Sequence, residues 1–526
     1  MPSLVTDNFR VFAAEQFIES LEEPYNSSDQ PEADSSSAAQ NYRSKIYLFT
    51  GRSQQWTLER YDGQTGVSEF EPPDQYDSFN DMNEIYDDMI SVKRVTRSDL
   101  SKVIRRNTWT TGVKYDMYKN DYTNLNQSIN GHQKLYDAQF YVINKNFNVY
   151  KCIYNGESAT YPNGVTSTLE PTSTSTQIET LSDGYRWKYM YTITIPEYIK
   201  FVSTDFIPVK DDTDVKNAAI DGSIEQLIVD NRGSGIAANT YYVPIVGDND
   251  YGTETNRAIA QIIVPSTGTN ANKIDTATMQ IVGTGYTRAK LVLTEGYTTI
   301  ANAKSRSGTT TDLSSATVEA IISPPGGHGS DAALELGGYR VMINKSLDFL
   351  DGDGDIPVDS QFRRFGLIAD PQNTSNTDLT ANTATACYAI KFPSSTTDNF
   401  EPGNIITQST TEAKGRVIHW DSVTKVLRYY QNEFIDEDQA SPNADQLVLF
   451  SGANSITATT SQGSVTMTPD TGTSGDYFGV TFTNGYSTPE IKKNSGNIIY
   501  VENRKAVNRS NDQIEDIKLV IEFWTK

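Results

Sequence analysis

Short apolar segments separated by turn residues are the feature that most limits how this chain can fold. Residues 185–195 (YRWKYMYTITI) alternate aromatic and polar side chains, and residues 45–50 (KIYLFT) form a compact apolar run that ends at a glycine. A period of two is typical of a strand with one buried face. Turn-forming Gly, Ser, Thr, Asn and Asp are abundant between such runs, and long helical patterns are scarce. The sequence therefore predicts a mainly β fold.

Length and charge limit the architecture and the partners. A chain of 526 residues is too long for one compact core and predicts two to four domains. The formal net charge of −23 argues against nucleic acid as the principal partner, because a phosphate backbone attracts clustered cations. The two cysteines, Cys152 and Cys387, form neither a disulfide framework nor a zinc motif, which fits folding in a reducing compartment.

No segment predicts insertion into a membrane or export. The sequence has no stretch of about 18 apolar residues, the length needed to cross a bilayer. The first ten residues, MPSLVTDNFR, lack the apolar core of a signal peptide. We therefore expect synthesis and folding in a cytoplasm and no membrane partner.

Helical patterns occur mainly near the N-terminus. Asp7 is a candidate cap for an amphipathic helix over residues 7–22, followed by a polar, mobile loop over residues 26–40. Residues 79–90 predict a second helix, and Ser98 is a candidate cap for a short one that ends near residue 104. The predicted buried face of the first helix consists of Phe9, Phe12, Ala13, Phe17 and Leu21.

The rest of the chain has the pattern of strands. Residues 140–154 and 405–430 predict hairpins, and residues 498–501 and 517–523 predict strands near the C-terminus. Two segments, near 224–246 and 274–293, predict a repeated strand–turn–strand unit, because the strand start and both glycines of a Gly-x-Gly turn recur fifty residues later. Thr- and Ser-rich runs around 371–385 and 455–475 predict loops or interdomain connectors.

Motifs for chemistry are missing from the sequence. The three histidines, His132, His328 and His419, have no metal-binding spacing, and no nucleophile elbow, P-loop or dinucleotide fingerprint is present. Residues 351–355 (DGDGD) resemble the start of a calcium loop, but Ile356 and Phe362 stand where that loop needs Gly and Glu. We therefore expect an exposed acidic turn there, no catalytic, cofactor-binding or metal-binding residues, and no enzyme activity.

Five segments, in the same order, resemble a known family. Residues 50–56 (TGRSQQW) are followed by 70–73 (FEPP), and residues 81–109 contain VKRV and VIRRNTW. The last three segments are 149–153 (VYKCI), 182–191 (SDGYRWKYMY) and 496–504 (GNIIYVENR). Together they are similar to the gene-product-eight baseplate wedge subunit of T-even-type contractile-tailed bacteriophages. The resemblance covers about residues 1–210 and 486–526, and the chain is longer than the T-even member by an insert between these parts.

The resemblance implies β-sandwich-type domains, with a base domain formed by residues 1–215 and 486–526 and an inserted β-rich region over residues 216–485. It implies a structural subunit of the tail baseplate of the virion, which holds neighbouring wedge proteins in register during assembly and contraction. It also implies a homodimer within each wedge, with other wedge proteins as partners and no cofactor. The residues that carry the resemblance, as packing or interface positions, are Gly51, Arg52, Ser53, Trp56, Arg105, Arg106, Trp109, Gly184, Tyr185, Trp187, Tyr500, Glu502, Asn503 and Arg504.

Two other functions remain open at this point. A receptor- or carbohydrate-binding tail protein would use the repeats and aromatic residues to stack sugars, and a virion-associated polysaccharide hydrolase would be an enzyme. The matching segments favour a wedge protein over a fibre, and the sequence contains no collagen-like or trimeric-stalk pattern.

Overall fold

The computed structural model describes residues 4–21, 45–57, 66–248, 256–348, 354–432, 435, 446–510 and 512–523. It is mainly β, with 37% strand and 11% helix, so the predicted fold class is confirmed. Antiparallel sheets and a few short helices form the architecture, which is consistent with β-sandwich-type domains. The predicted mobile loop over residues 26–40 lies outside the described residues.

The regular elements are numbered here in chain order. The helices are α1 (Asp7–Glu19), α2 (Phe79–Asp88), α3 (Ile195–Phe201), α4 (Thr213–Asn217), α5 (Ile300–Ser305) and α6 (Ala332–Leu336). The strands of the first half are β1 (Ile46–Gly51), β2 (Met89–Arg94), β3 (Leu100–Arg105), β4 (Tyr141–Ile143), β5 (Asn148–Tyr154), β6 (Glu179–Thr180), β7 (Arg186–Thr192), β8 (Phe206–Pro208), β9 (Ile224–Asn231), β10 (Asn239–Gly247) and β11 (Ile259–Val264). Those that follow are β12 (Thr276–Ile281), β13 (Ala289–Leu291), β14 (Thr317–Ile322), β15 (Arg340–Leu347), β16 (Ser360–Ala369), β17 (Thr383–Thr385), β18 (Tyr388–Lys391), β19 (Ile405–Gln408), β20 (Lys414–Asp421) and β21 (Val426–Tyr430). The last are β22 (Ile456–Thr460), β23 (Gly463–Met467), β24 (Gly475–Tyr477), β25 (Val480–Phe482), β26 (Tyr486–Ser487), β27 (Asn497–Arg509) and β28 (Glu515–Glu522).

The chain divides into two compact units, and both are discontinuous in sequence. Unit 1 comprises residues 1–16, 101–342 and 520–526, and unit 2 comprises residues 17–100 and 343–519. The division therefore falls at positions other than the predicted boundaries near 215 and 485. Residues 101–215, predicted to belong to the base domain, share unit 1 with most of the first half of the predicted insert.

Unit 2 is built on a five-stranded sheet with the order β17-β2-β1-β16-β27. Strand β16 lies in the middle of the predicted insert, yet it pairs with β1 on one side and with β27 on the other. Segments from both chain ends are thus joined by a strand that was predicted to lie outside their domain. A seven-stranded sheet with the order β23-β22-β19-β20-β21-β18-β26 forms a second core around Trp420 and Tyr429.

Unit 1 contains an aromatic core beside the sheet β4-β5-β7-β6. The alternating segment predicted as a half-buried strand is β7, which pairs antiparallel with β5. Trp187 stacks on Tyr185 at 5.4 Å between ring centroids, and Tyr115 meets the same indole edge-on at 5.8 Å. Such aromatic pairs add to the free energy of burying the rings.

The repeated segments also lie in unit 1. In the first copy β9 and β10 flank Gly233 and Gly235, and in the second β12 and β13 flank Gly283 and Gly285. All four glycines have positive φ, between +66° and +75°, as the predicted turns require. The two copies pair differently, because β9 pairs with β14 whereas β12 pairs with β11 in the sheet β12-β11-β10-β13.

Several local predictions are confirmed. Helix α2 begins after Ser78, whose hydroxyl accepts a hydrogen bond from the Asp81 amide at 3.2 Å. Strands β4 and β5 form the first predicted hairpin, and β20 and β21 form the second around an Asp421 turn. The final strands are β27 and β28.

The buried face predicted for the first helix is wrong for Phe9 and Phe12, whereas Ala13 and Phe17 are half-buried. Phe9 and Phe12 are exposed in α1, and the buried side chains are Val11, Ala14 and Ile18, with Leu21 just beyond the helix as predicted. Apolar residues occur on two sides of this helix, so the spacing alone could not select the buried side.

Two other local predictions are wrong. Residues 97–99 form a single 3₁₀ turn in which Asp99 accepts the Thr96 amide at 2.9 Å, and Ser98 begins no helix, because the next residues form β3. The Thr-rich run 455–475 contains the antiparallel strands β22 and β23 instead of a loop. Threonine is β-branched and favours strands, and buried and exposed positions alternate along β22.

The two repeats provide a matched test of the glycine requirement. A methyl group at Gly283 would lie 2.7 Å from the Tyr286 ring and 2.8 Å from Ala258 Cβ, whereas one at Gly235 would meet nothing within 4 Å. Tyr286 accepts the Ala258 amide and donates to the Ile245 carbonyl, both at 3.0 Å, so its ring cannot move freely. We expect Gly283→Ala to destabilise unit 1 by about 1–3 kcal/mol more than Gly235→Ala, since overpacking adds to the common backbone cost. Thermal unfolding of both variants measures the difference in stability. Equal losses of stability would contradict the closer packing assigned to Gly283.

Candidate assembly site

A carboxylate shared by two buried arginines organises unit 2. The Asp88 side chain, at the end of α2, lies 3.3 Å from the Arg52 guanidinium and 3.1 Å from that of Arg364. All three side chains are buried. The indole of Trp56 lies against both cations, with its ring centroid 4.5 Å from Arg52 Cζ and 5.6 Å from Arg364 Cζ.

The change of backbone direction at the end of β1, over Gly51 and Arg52, makes this arrangement possible. A Cβ atom at Gly51 would lie 3.0 Å from the Asp88 carbonyl oxygen, so any larger residue would push the two backbones slightly apart. Arg52 adopts a left-handed conformation with φ 55°, and its amide donates to the same carbonyl at 2.8 Å. The backbone thereby directs the Arg52 side chain towards the Asp88 carboxylate.

The C-terminal signature residues join the same network. Trp56 Nε1 donates to the Arg504 carbonyl at 2.8 Å, and Arg364 Nε donates to Asn503 Oδ1 at 3.0 Å. Glu502 accepts both the Tyr500 hydroxyl and Arg504 Nε at 2.7 Å. Seven of the predicted signature residues therefore contact one another or the Asp88 network through their side chains or backbone, and Ser53 joins them through its carbonyl, which accepts from Arg363.

An aromatic segment is anchored beside this network. Glu69 accepts the Trp56 amide at 2.6 Å and Arg363 Nε at 2.7 Å, and Asn503 Nδ2 donates to the Pro73 carbonyl at 2.9 Å. The following side chains nevertheless face solvent: Phe70 is 77% exposed, Tyr76 66% and Phe79 90%. We call residues 69–79 the aromatic segment. It is held through the Glu69 side chain and the Pro73 carbonyl while its rings are exposed, as in a preformed binding surface.

The three residues that hold this site together were not predicted. Asp88, Arg364 and Glu69 come from separate parts of the sequence, and acidic residues are too numerous for one of them to stand out. The available signal in the sequence was a pair of consecutive arginines, 363 and 364, within an apolar strand, since a buried charge is usually paired with one of opposite sign. Their side chains leave β16 on opposite sides, so one reaches Glu69 and the other Asp88.

The other signature residues lie in unit 1 and do not join this site. Trp187 is fully buried, and Trp109 is half-buried with Nε1 donating to Ser167 Oγ at 3.1 Å. Tyr185 donates from its hydroxyl to the Val165 carbonyl at 2.9 Å. These contacts are internal packing, and so is the bond from Arg106 to the Ser203 carbonyl at 3.0 Å. Arg105 is exposed, and Gly184 occupies a turn with φ +94°.

Unit 1 also contains a buried ion pair. The Lys151 ammonium contacts the Glu335 carboxylate, and both side chains are almost fully buried. Glu335 accepts the Gly329 amide at 2.7 Å, and the His328 imidazole packs edge-on against Tyr118 at 5.0 Å. Burial, together with the nearby Lys151 charge, lowers the pKa of His328 well below its usual range. The neutral imidazole is therefore the stable form beside this pair.

The remaining sequence candidates lie apart from one another. His419 is buried beside Arg428. Burial, and to a smaller extent the positive charge of Arg428, lowers the pKa of His419 to about 4. Cys152 and Cys387 are both buried as free thiols. Residues 351–353 of the predicted acidic turn lie outside the described residues, and the Asp355 carboxylate accepts the Thr383 hydroxyl at 2.8 Å. Among the described residues, no group of three or more His, Cys, Asp or Glu side chains is placed to hold a metal ion.

The Asp88 carboxylate can be tested by charge removal. We expect Asp88→Asn to destabilise unit 2 by about 3–5 kcal/mol, because it leaves two buried guanidinium groups without their shared negative charge. The neighbouring Asp87→Asn is the matched control: Asp87 pairs with the half-exposed Lys493 and accepts Asn432 Nδ2 at 2.7 Å, so the change should cost only about 1–2 kcal/mol. Chemical denaturation followed by tryptophan fluorescence measures both. Equal losses of unfolding free energy in the two variants would show that the Asp88 carboxylate stabilises unit 2 no more than its neighbour does.

No helix among the described residues is both long and apolar enough to cross a membrane. Comparison of the sequence with protein-family models and with curated proteins gave no match.

Proposed function

We propose that the chain is a structural wedge subunit of the baseplate of a contractile-tailed bacteriophage and is not an enzyme. The proposal rests first on the five ordered segments that resemble the wedge subunit family. Their positions in the fold add support, because segments distant in sequence are packed together. Residues 50–56, 70–73 and 496–504 converge on Asp88 in unit 2, and residues 149–153 pair with 186–191 in unit 1.

The observation that carries the proposal is the anchored aromatic segment. An assembly subunit needs a surface that is in place before its partner arrives, since ordering a loop on binding reduces the affinity. The Glu69–Arg363 ion pair and hydrogen bonds to the Glu69 side chain and the Pro73 carbonyl hold the segment, and exposed aromatic side chains supply apolar area. Large aromatic residues contribute most of the binding free energy in many interfaces.

We assign this surface to the homodimer that the family resemblance implies. Exposed acidic residues, Glu71, Asp74 and Asp77, lie within the aromatic segment, and the exposed cations Arg504 and Lys505 lie next to it. In a two-fold dimer the same patch occurs on both sides, so acidic residues of one copy can face basic residues of the other. Other wedge proteins would then bind the remaining surfaces of the virion-bound dimer.

Immunogold electron microscopy tests the location. Antibodies raised against the purified chain should label the baseplate end of contractile-tailed phage particles from the same source. Particles labelled only along fibres would favour the receptor-binding alternative, and unlabelled disrupted tails would contradict a place in the virion.

A double substitution tests the dimer surface. We expect wild-type protein to exceed its chain mass of 58.4 kDa at micromolar concentration, and Phe70→Ser with Phe79→Ser to weaken self-association about tenfold or more. Leu125→Ser, at a 93% exposed position in unit 1, is the control and should leave the association unchanged. Sedimentation velocity over a concentration series measures all three proteins. A wild-type monomer throughout, or equal effects of the two changes, would refute this surface.

A further inference from the structure

A cavity of about 740 Å³ opens on one side of unit 1. Its walls come from the segment before β7, from β7 itself, and from strands β9 and β12. This volume lies within the range of pockets that hold small-molecule ligands. Neither the aromatic segment nor any other part of the proposed assembly site contributes to it.

The cavity forms where β9 and β12 run side by side without being hydrogen-bonded neighbours. Ile224 N donates to the Val282 carbonyl at one end, and Ile274 N donates to the Arg232 carbonyl at the other, both at 2.9 Å. Between these two bonds, β9 pairs instead with β14 and β12 with β11. The separation leaves the facing parts of the two strands, residues 225–229 and 275–279, free to line the cavity.

Two cations in the wall are not neutralised by ion pairs. Lys188 is buried, and its ammonium donates to the Thr176 carbonyl, which leaves two of its three N–H groups for other acceptors. Arg186 donates to the Glu225 carbonyl at 2.9 Å and to Gln226 Oε1 at 2.6 Å. Neither side chain forms an ion pair with a carboxylate in the part of the chain that the structure describes.

The surrounding charges leave a positive excess at this wall. Arg232 lies 3.9 Å from Asp275, and behind the wall Lys151 is neutralised by Glu335. Glu225 is the remaining acidic residue of the lining, and its carboxylate accepts the Ser223 hydroxyl at 3.2 Å. Burial lowers the pKa of Lys188 and Glu225 opposes this shift, so a second anion would stabilise the charged ammonium further. A positive cavity is notable in a chain with a net charge of −23.

The rest of the lining suits a ligand with many hydroxyl groups. Its neutral polar side chains include Ser158, Thr176, Gln177, Thr180, Thr276 and Thr278. Hydroxyl and amide groups both donate and accept hydrogen bonds, as sugar hydroxyls do. Apolar side chains such as Leu227 and Met279 complete the wall and can contact the carbon faces of a sugar ring.

We propose that this cavity binds a sugar that carries a carboxylate, with Lys188 and Arg186 holding the carboxylate and the hydroxyl-rich wall holding the ring. The inference does not depend on the baseplate assignment. The same chemistry is present in a free uronic acid and in one residue of an acidic polysaccharide, so both sources enter the test.

Isothermal titration of the full chain with sodium glucuronate is the experiment. We expect glucuronate to bind at least about tenfold more tightly than glucose, because charge-assisted hydrogen bonds are the stronger ones, and acetate to bind far more weakly than glucuronate. Oligogalacturonate that binds more tightly than its monomer would indicate a polysaccharide residue, and equal affinities would indicate the free sugar acid. Acetate that competes as well as glucuronate would overturn the assignment to a sugar.

Two variants place the binding in this cavity. Lys188→Met keeps an unbranched side chain that is one atom shorter, and it should reduce glucuronate affinity about tenfold while leaving glucose binding unchanged. Thr278→Trp fills the cavity from an exposed strand position without altering a charge, so it should abolish binding of both sugars in a protein with an unchanged melting temperature. Gln280→Trp, on the same exposed face of β12 but outside the lining, should bind like wild type. Wild-type affinity in Thr278→Trp would refute the site even if Lys188→Met failed to fold.

Discussion

The shared Asp88 carboxylate is the interaction on which the organisation of unit 2 depends. One buried acceptor positions Arg52 after β1 and Arg364 on β16, and the two guanidinium groups flank Trp56. Arginine suits this role because its planar group can pair with a carboxylate, stack on an indole and still donate elsewhere. Arg364 also donates to Asn503 of the C-terminal strand, and Asn503 donates to Pro73 of the aromatic segment, so these parts of the chain meet in one network around the Asp88 carboxylate.

The distribution of buried charge explains how an acidic chain can use so many internal cations. Among the described residues, the buried charged side chains are five lysines and eight arginines against four aspartates and one glutamate. Many of these cations donate to backbone carbonyl oxygens: Arg416 to Gly403, Arg428 to Gly354 and Arg509 to Leu347. A fold of short strands and many turns leaves buried carbonyls outside the sheets, and long side chains with several donors satisfy them.

The two Gly-x-Gly segments have similar local structures but pair with different strands. Each copy needs left-handed glycines at the turn, and each places a buried residue directly after it, Ile236 in one and Tyr286 in the other. The first strand of the first copy, β9, pairs with β14, and the first strand of the second copy, β12, pairs with β11. Strands β9 and β12 form no continuous ladder with each other, and the cavity of about 740 Å³ lies between them. A cavity can thus form where two similar segments pair with different neighbours.

The sequence by itself determined the mainly β class, helix α2, the two hairpins and the left-handed glycines, because each of these depends on residues close together in the chain. Only the tertiary structure decided that β16 joins β1 to β27, that α1 buries Val11, Ala14 and Ile18 and exposes Phe9 and Phe12, and that Asp88, Glu69 and Arg364 hold the candidate site. The same applies to the cations Arg186 and Lys188, which look like ordinary polar positions of an alternating strand until β9 and β12 complete the cavity that they line. Periodicity reports which residues share a face, but the partner of that face is set by burial and charge pairing over hundreds of residues, and these depend on the whole fold.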